Sequence, residues 1–352
     1  MEQARERRQA RSELTAASAQ PRRRFLTPDR RTALIVAACV TVFTLAAGSA
    51  AAQSYPSKPV RILVGFGAGG STDIVSRVLA QSLTAEWKQN VLVENRPGAS
   101  GMIAAELTAK AAPDGYTLVM TPQTSLAVAP ALYGKAAYDT LRDFSTITLT
   151  GYTPLLMVVH PSFPPKTFKE FMALAKRSKE PLTFGSGGVG SSPHMAGELM
   201  SAQLGIRITH VPYKGENPAL ADTIGGQIPI MFGNLPVAVP HVNSGKLRGL
   251  ANTWSTRSPL APNIPTVAES GFKDYAIATW FGLLGPAKMP PELVARIQRD
   301  TAKVFNQAAT KEKLTGMGVD LILNSPEEFR DYLKGEIARY TKVIKDAGIT
   351  AQ

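Results

Sequence analysis

The chain has 352 residues, a formal net charge of +12 and one cysteine. No long Lys/Arg tract with interleaved aromatic residues occurs, which argues against a nucleic-acid partner; the basic excess reads as a solvated surface or, alternatively, as a mild attraction for anionic solutes. With Cys39 as the only thiol, an intramolecular disulfide is excluded.

Residues 1–31 carry nine Arg against four acidic side chains. An uncharged stretch over 32–47 follows, and Gly48-Ser49-Ala50-Ala51-Ala52 then offers Ala-x-Ala spacing for a signal peptidase. This reads as an export signal cleaved after Ala52, because the apolar stretch falls short of the roughly 20 residues of a membrane span. Arg22-Arg23-Arg24-Phe25-Leu26 resembles a twin-arginine signal, although residues 28–31 separate it from the apolar core; ordinary secretion is preferred. Cys39, after Val36-Ala37-Ala38, loosely resembles a lipoprotein cleavage site; otherwise it leaves with the leader. The mature chain of about 300 residues, with a charge near +7, is long enough for two domains.

Residues 60–66 read as a buried strand and 72–87 as a helix with Val75, Val78, Leu79 and Leu83 on its inner face. A strand over 91–94, a helix over 102–111 and a strand over 117–120 follow, punctuated by Asn95-Arg96-Pro97-Gly98 and Pro113-Asp114-Gly115. The pattern restarts with a strand over 155–159, a helix over 168–177, a strand over 182–184 and a helix over 193–204. Alternating β and α predicts mostly parallel sheet covered by helices, in two α/β units. The second unit is entered near Thr153 and left through a strand-like segment over 275–284, so two crossings form a hinge. Ser325-Pro326-Glu327-Glu328 supplies a helix cap, and Phe329, Leu333, Ile337, Tyr340 and Ile344 mark one apolar stripe. Residues 290–352 are expected to pack back on the first unit.

Two glycine loops carry the functional information. Gly65-Phe66-Gly67-Ala68-Gly69-Gly70 and Gly185-Ser186-Gly187-Gly188-Val189-Gly190 each follow an apolar run and precede a helix. Such a turn leaves backbone N–H groups unpaired at the positive end of the helix dipole, where an anion binds. Neither loop contains Lys or Arg, so main-chain donors and the hydroxyls of Ser71, Thr72, Ser191 and Ser192 would read the ligand. That favours carboxylate-sized ligands.

Gly65-x-Gly67-x-x-Gly70 with Glu94 on the next strand matches a dinucleotide fingerprint, but Asp73 would face the pyrophosphate and the glycine spacing recurs at Gly185. A serine hydrolase is prompted by His194 and its serine-rich loop, yet no Gly-x-Ser-x-Gly elbow occurs at Ser186, Ser191 or Ser192. His160, His194, His210 and His241 show no metal-ligand spacing, so no metal or cofactor is expected.

Val64 through Asp73, Glu94-Asn95-Arg96-Pro97-Gly98-Ala99-Ser100-Gly101 and Pro113-Asp114-Gly115-Tyr116-Thr117-Leu118 resemble the opening of the Bug-type solute receptors of tripartite tricarboxylate transporters. The resemblance continues through Val211-Pro212-Tyr213-Lys214-Gly215, Gly225-Gly226-Gln227, Met231-Phe232-Gly233-Asn234-Leu235-Pro236, Gly245-Lys246-Leu247-Arg248 and Trp280-Phe281-Gly282-Leu283 to Ser325-Pro326-Glu327-Glu328-Phe329. It covers essentially residues 55–349. Residues 125–130 lack the histidine and asparagine often found in relatives, and Gly233 stands where an acid is common.

The resemblance implies an α/β fold of the two-domain periplasmic binding protein kind, type II or Venus-flytrap, with two crossing strands as hinge. Domain 1 is expected over 53–153 plus 278–352, and domain 2 over 154–277. The implied function is non-enzymatic: capture of a small organic carboxylate and its delivery to membrane permease subunits, by a monomer in the periplasm. A ligand-sensing partner of a two-component system and an exported enzyme acting on a carboxylate or ester are the alternatives. The expected ligand-binding residues are Gly69, Gly70, Ser71, Thr72, Asp73, Thr121, Ser125, Ser186, Gly187, Gly188, Ser191, Ser192, His194, Tyr213 and Asn234. Asp73 is expected to orient its own loop, Lys214 to add charge at the rim, and Trp280 to pack in the hinge.

Overall fold

A strand-loop-helix unit opens the fold. In the computed structural model, which describes residues 55–350 apart from 135 and 347, β1 (Val60–Val64) is buried and runs into α1 (Ser71–Trp87). The leader, its Ala52 cleavage point, the twin-arginine segment and Cys39 lie outside the described residues. Val75, Val78, Leu79 and Leu83 are buried on α1, as its periodicity predicts, and Lys88 in the left-handed region ends the helix by donating its N–H to Thr84 O. β2 (Val91–Asn95) and β3 (Thr117–Pro122) lie parallel to β1 on either side, with α2 (Met102–Ala109) between them in sequence. Gly65 and Gly101 must approach closely, since a Cβ on Gly65 would sit 2.5 Å from Gly101 Cα.

A short α3 (Ala129–Tyr133) leads to β4 (Phe144–Val159), the strand that ties the sheet together. A second parallel set comprises β5 (Leu182–Ser186), β6 (Ile208–Pro212) and β7 (Ile230–Asn234), connected through α5 (Ser192–Leu204) and α6 (Glu216–Ile224), with α4 (Phe168–Arg177) before it. α7 (Leu235–Asn243) and β8 (Arg248–Asn252) follow, and β9 (Ala278–Pro286) returns. The strand order is β2-β1-β3-β9-β4-β7-β5-β6, with β8 and a two-residue β10 (Asp320–Leu321) also paired to β4. The early part of β4 pairs antiparallel with β9 and its last five residues with β7, so these two strands cross between the parallel sets.

The apolar pattern suggests a strand only over 155–159, whereas β4 begins at Phe144. The missed part, Thr-rich and poor in apolar runs, is buried because its hydroxyls find partners: Thr146 donates to Pro326 O, Thr148 to Asn324 O and Thr150 to Phe281 O. Register shifts near Ile147 and Thr150 mark bulges in this pairing.

After α8 (Pro291–Phe305) and α9 (Ala308–Thr315), α10 (Pro326–Asp346) closes the described chain. Its start has the expected reciprocal cap: Glu328 N–H donates to Ser325 Oγ (3.1 Å) and Ser325 N–H to the Glu328 carboxylate (2.8 Å). Its stripe does not serve the first unit alone. Phe329 and Leu333 join the core of Leu63, Val119, Trp280 and Leu284, while Tyr340 and Ile344 join that of Met157, Phe184, Met195 and Phe232. Trp280 is buried on β9 and donates its indole N–H to Glu336 (2.8 Å).

Candidate functional site

Asp73 shapes the first loop. Its Oδ2 accepts the Gly69 N–H (2.9 Å) and Arg77 Nε (2.8 Å), and its Oδ1 accepts Asn95 Nδ2 (2.8 Å), which also reaches Phe66 O. Burial pushes the Asp73 carboxyl up, but Arg77, the Gly69 N–H and Asn95 outweigh it and hold the group below the usual carboxylate range. It is therefore a strut of its own loop.

The second loop rests on two histidines. Ser186 Oγ shares a 2.5 Å hydrogen bond with His210 Nε2 and also accepts the Gly188 N–H (3.1 Å). Ser191 caps α5 by accepting the His194 N–H, while His194 Nδ1 accepts the Gly190 N–H (2.9 Å) and its ring stacks on His210 at 3.9 Å. Burial first, and His194 second, push His210 down to about 3 from an ordinary 6.5. The unfolded chain therefore protonates first, so the stability His210 contributes is complete above pH 6.5 and is lost as pH falls towards 3. Urea denaturation across that window should show stability falling by up to about 1.4 kcal/mol per pH unit from this one proton. His210→Gln should remove that share of the slope; an unchanged slope would refute the assignment.

Both loops face one cavity of about 30 Å³, lined by Gly67, Gly70, Ser71 and Thr72 from the first and Gly187, Ser191 and Ser192 from the second, with Asn234 at the end of β7. It adjoins a cleft of about 550 Å³ lined by Phe66, Ala99, Tyr133, Gly187, Gly188, Pro212, Tyr213 and Lys214, among others. The structure thus brings Gly70, Ser71, Thr72, Gly187, Gly188, Ser191, Ser192, Tyr213 and Asn234 to the two spaces. Gly69, Asp73, Thr121, Ser125, Ser186 and His194 line neither. Thr121 donates to Ser125 Oγ (2.8 Å) and Ser125 to Ser100 O (3.1 Å), so these hydroxyls are spent within the protein. Tyr213 offers its ring only: its hydroxyl donates to Asp222 (2.8 Å), and burial, then Asp222, push it up to about 12.

Glu216, absent from the expected set, is the side chain that ties the first glycine loop to the end of β7. Its Oε2 accepts the Ser71 N–H (2.9 Å) and hydroxyl (2.8 Å), and its Oε1 accepts Asn234 Nδ2 (2.5 Å) and N–H (3.3 Å). Asn234 Nδ2 also reaches Ser71 Oγ, and Thr279 on β9 donates to Asn234 Oδ1 (2.6 Å). Asn217 Nδ2 to Ala68 O and Ser100 Oγ to Val189 O add further bridges. The signal that could have found Glu216 is its position: β6, then a loop ending in Gly215, then an acid opening α6, which is a third strand-loop-helix corner.

Two parallel α/β sets, crossed by two strands and presenting helix starts to a shared cavity, define a two-domain solute-binding receptor of the flytrap kind. The model of the tripartite tricarboxylate transporter family receptor, TctC, matches residues 75–349, and the chain belongs to that family. It is 33% identical over 315 residues to the protein BugT of Bordetella pertussis, covering 88% of this chain and 97% of that one. The R. palustris protein Rpa4515, solved with adipate, superposes with a TM-score of 0.81 at 33% identity, covering 84% of this chain and 99% of that one. MatC of Rhodopseudomonas palustris, solved with bound malate, gives 0.78 at 30% identity, covering 82% and 100%.

Proposed function

We propose that this chain is a periplasmic receptor, exported with cleavage after Ala52, that captures a small organic carboxylate as a monomer and delivers it to the permease of a tripartite tricarboxylate transporter. Its two domains are 53–153 plus 278–352 and 154–277, hinged on β4 and β9. One observation carries this: the starts of α1 and α5 line the same cavity, and among the described residues no Lys or Arg lines it. Main-chain N–H groups and hydroxyls at two dipole ends suit a carboxylate. Gly70, Thr72, Gly187 and Ser192 form the contact surface, while Asp73, Ser186, Ser191 and His194 hold the loops in shape and Ser71 and Asn234 are held by Glu216. Closure is favoured because only the closed form offers a ligand donors from both domains. The similarity to adipate- and malate-bound relatives supports the ligand class.

A thermal-shift screen of the mature protein across organic acids tests the assignment. A true ligand at about 100 times Kd stabilises by about 2.7 kcal/mol, a rise in Tm of roughly 4–8 °C for a chain of this size. Turnover of the acid, or stabilisation by amines and by no acid, would refute it.

A further inference from the structure

Glu216 supplies the first glycine corner with an anion of its own. We propose that it acts as a specificity residue: it bars a second carboxylate from that corner, so compact dicarboxylates are disfavoured and the ligand is a monocarboxylate with an uncharged body. The inference rests on the carboxylate-receptor function above and narrows its substrate class.

A carboxylate has about four acceptor positions, and among the described residues the four donors on Glu216 come from Ser71 and Asn234. The Ser71 N–H and hydroxyl, which a ligand anion would use at the start of α1, are therefore already taken by a charge delivered from α6. A compact dianion bridging the two corners would have to displace this charge or lie against it.

The other corner is differently equipped. Ser192 is 2% exposed, lines the same cavity, and its hydroxyl has no hydrogen-bond partner among the described residues. A buried hydroxyl left unpaired is costly, and one that faces a ligand cavity at the start of a 13-residue helix is suited to a ligand oxygen. The ligand's single carboxylate is placed there. The uncharged body then extends into the adjoining cleft, which shares Phe66, Gly67 and Gly187 with the cavity and is walled by Ala99, Tyr133 and Val189. Among the described residues, Lys214 is the one charged side chain lining the cleft, and it is solvent-exposed.

The test is calorimetry on wild type, Glu216→Gly and Glu216→Gln with matched pairs: butyrate and succinate, 3-hydroxybutyrate and malate, benzoate and phthalate. Melting curves check that each variant is folded, and Glu216→Gln, which keeps the side chain's shape, covers the case in which glycine disturbs the start of α6. The expected result is that wild type prefers the monocarboxylate of a pair at least tenfold, and that both variants gain at least tenfold for its dicarboxylate with little change for the monocarboxylate. Wild type binding the dicarboxylate as tightly as its partner would overturn the inference while leaving the receptor function standing. So would variants that gain equally for both members, since Glu216 would then be a latch without selectivity. Failure of wild type and variants to bind any member of either class would overturn the carboxylate function itself, and the inference with it.

Discussion

Gly70→Asp should lower ligand affinity at least a hundredfold while leaving the melting temperature near that of the parent. Gly70 sits at φ −75° and ψ 166°, an extended conformation open to any residue, and caps α1. A Cβ there would lie 3.4 Å from Gly67 O and 3.5 Å from Glu216 Oε2, an ordinary contact distance. Asp is a favoured N-cap, so the substitution supports the helix rather than unfolding it. Its carboxylate, however, becomes a tethered anion in the ligand cavity and faces Glu216. Two like charges about 4 Å apart repel by on the order of 4 kcal/mol at an effective dielectric of 20, enough to oppose closure as well as binding. Gly188→Asp is less clean, because Gly188 has φ +126° and its Cβ would lie 3.2 Å from Tyr213 O. Strain there costs on the order of 1–3 kcal/mol, so that variant should lose stability and binding together. Calorimetry with the best acid from the thermal-shift screen, paired with melting curves and a Gly70→Ser control, separates the two effects. Unchanged affinity in Gly70→Asp would remove the first glycine loop from the site.

The features legible in the sequence are those with local causes. The inner face of α1, the cap at Ser325 and the glycine corners follow from periodicity and turn chemistry within a few residues, and the structure has them where the sequence puts them. What escaped depends on partners distant in sequence. The first part of β4 is a strand because Thr146, Thr148 and Thr150 find acceptors more than a hundred residues away, which no local pattern announces. Thr121 and Ser125 read as cleft hydroxyls after a strand end, yet the chain winds into a π-helical segment over Thr124–Val128 that sets Ser125 against Thr121 and Ser100. Glu216 is absent from the expected set because its role is set by Ser71, 145 residues earlier. Even α10 divides its expected stripe between two cores, because the stripe's periodicity states that a face is buried without stating against what.

The largest loss of stability should come from Phe329→Ala, where α10 locks against the crossing strand β9. Phe329 is fully buried and meets Trp280 edge-to-face at 6.0 Å and 85°. Its ring occupies the place a side chain on Gly282 would take: a Cβ there would fall 2.3 Å from Phe329 Cζ. Removing a buried Phe leaves a cavity and costs about 3–5 kcal/mol, since interiors relax only partly. Urea denaturation should show this as a lower midpoint with a similar slope. Ligand affinity, measured well below the melting temperature, should change only a few-fold, because neither Phe329 nor Gly282 lines the cavity. Gly282→Ala alone should also destabilise by about 1–3 kcal/mol through overpacking. Combined with Phe329→Ala it should recover part of the loss, since the new methyl enters the space the ring has left. A coupling energy above about 0.5 kcal/mol in that double-mutant cycle would confirm that ring and glycine form one contact. Additive losses, or a Phe329→Ala cost below about 1 kcal/mol, would mean that β9 is held by its strand pairing alone.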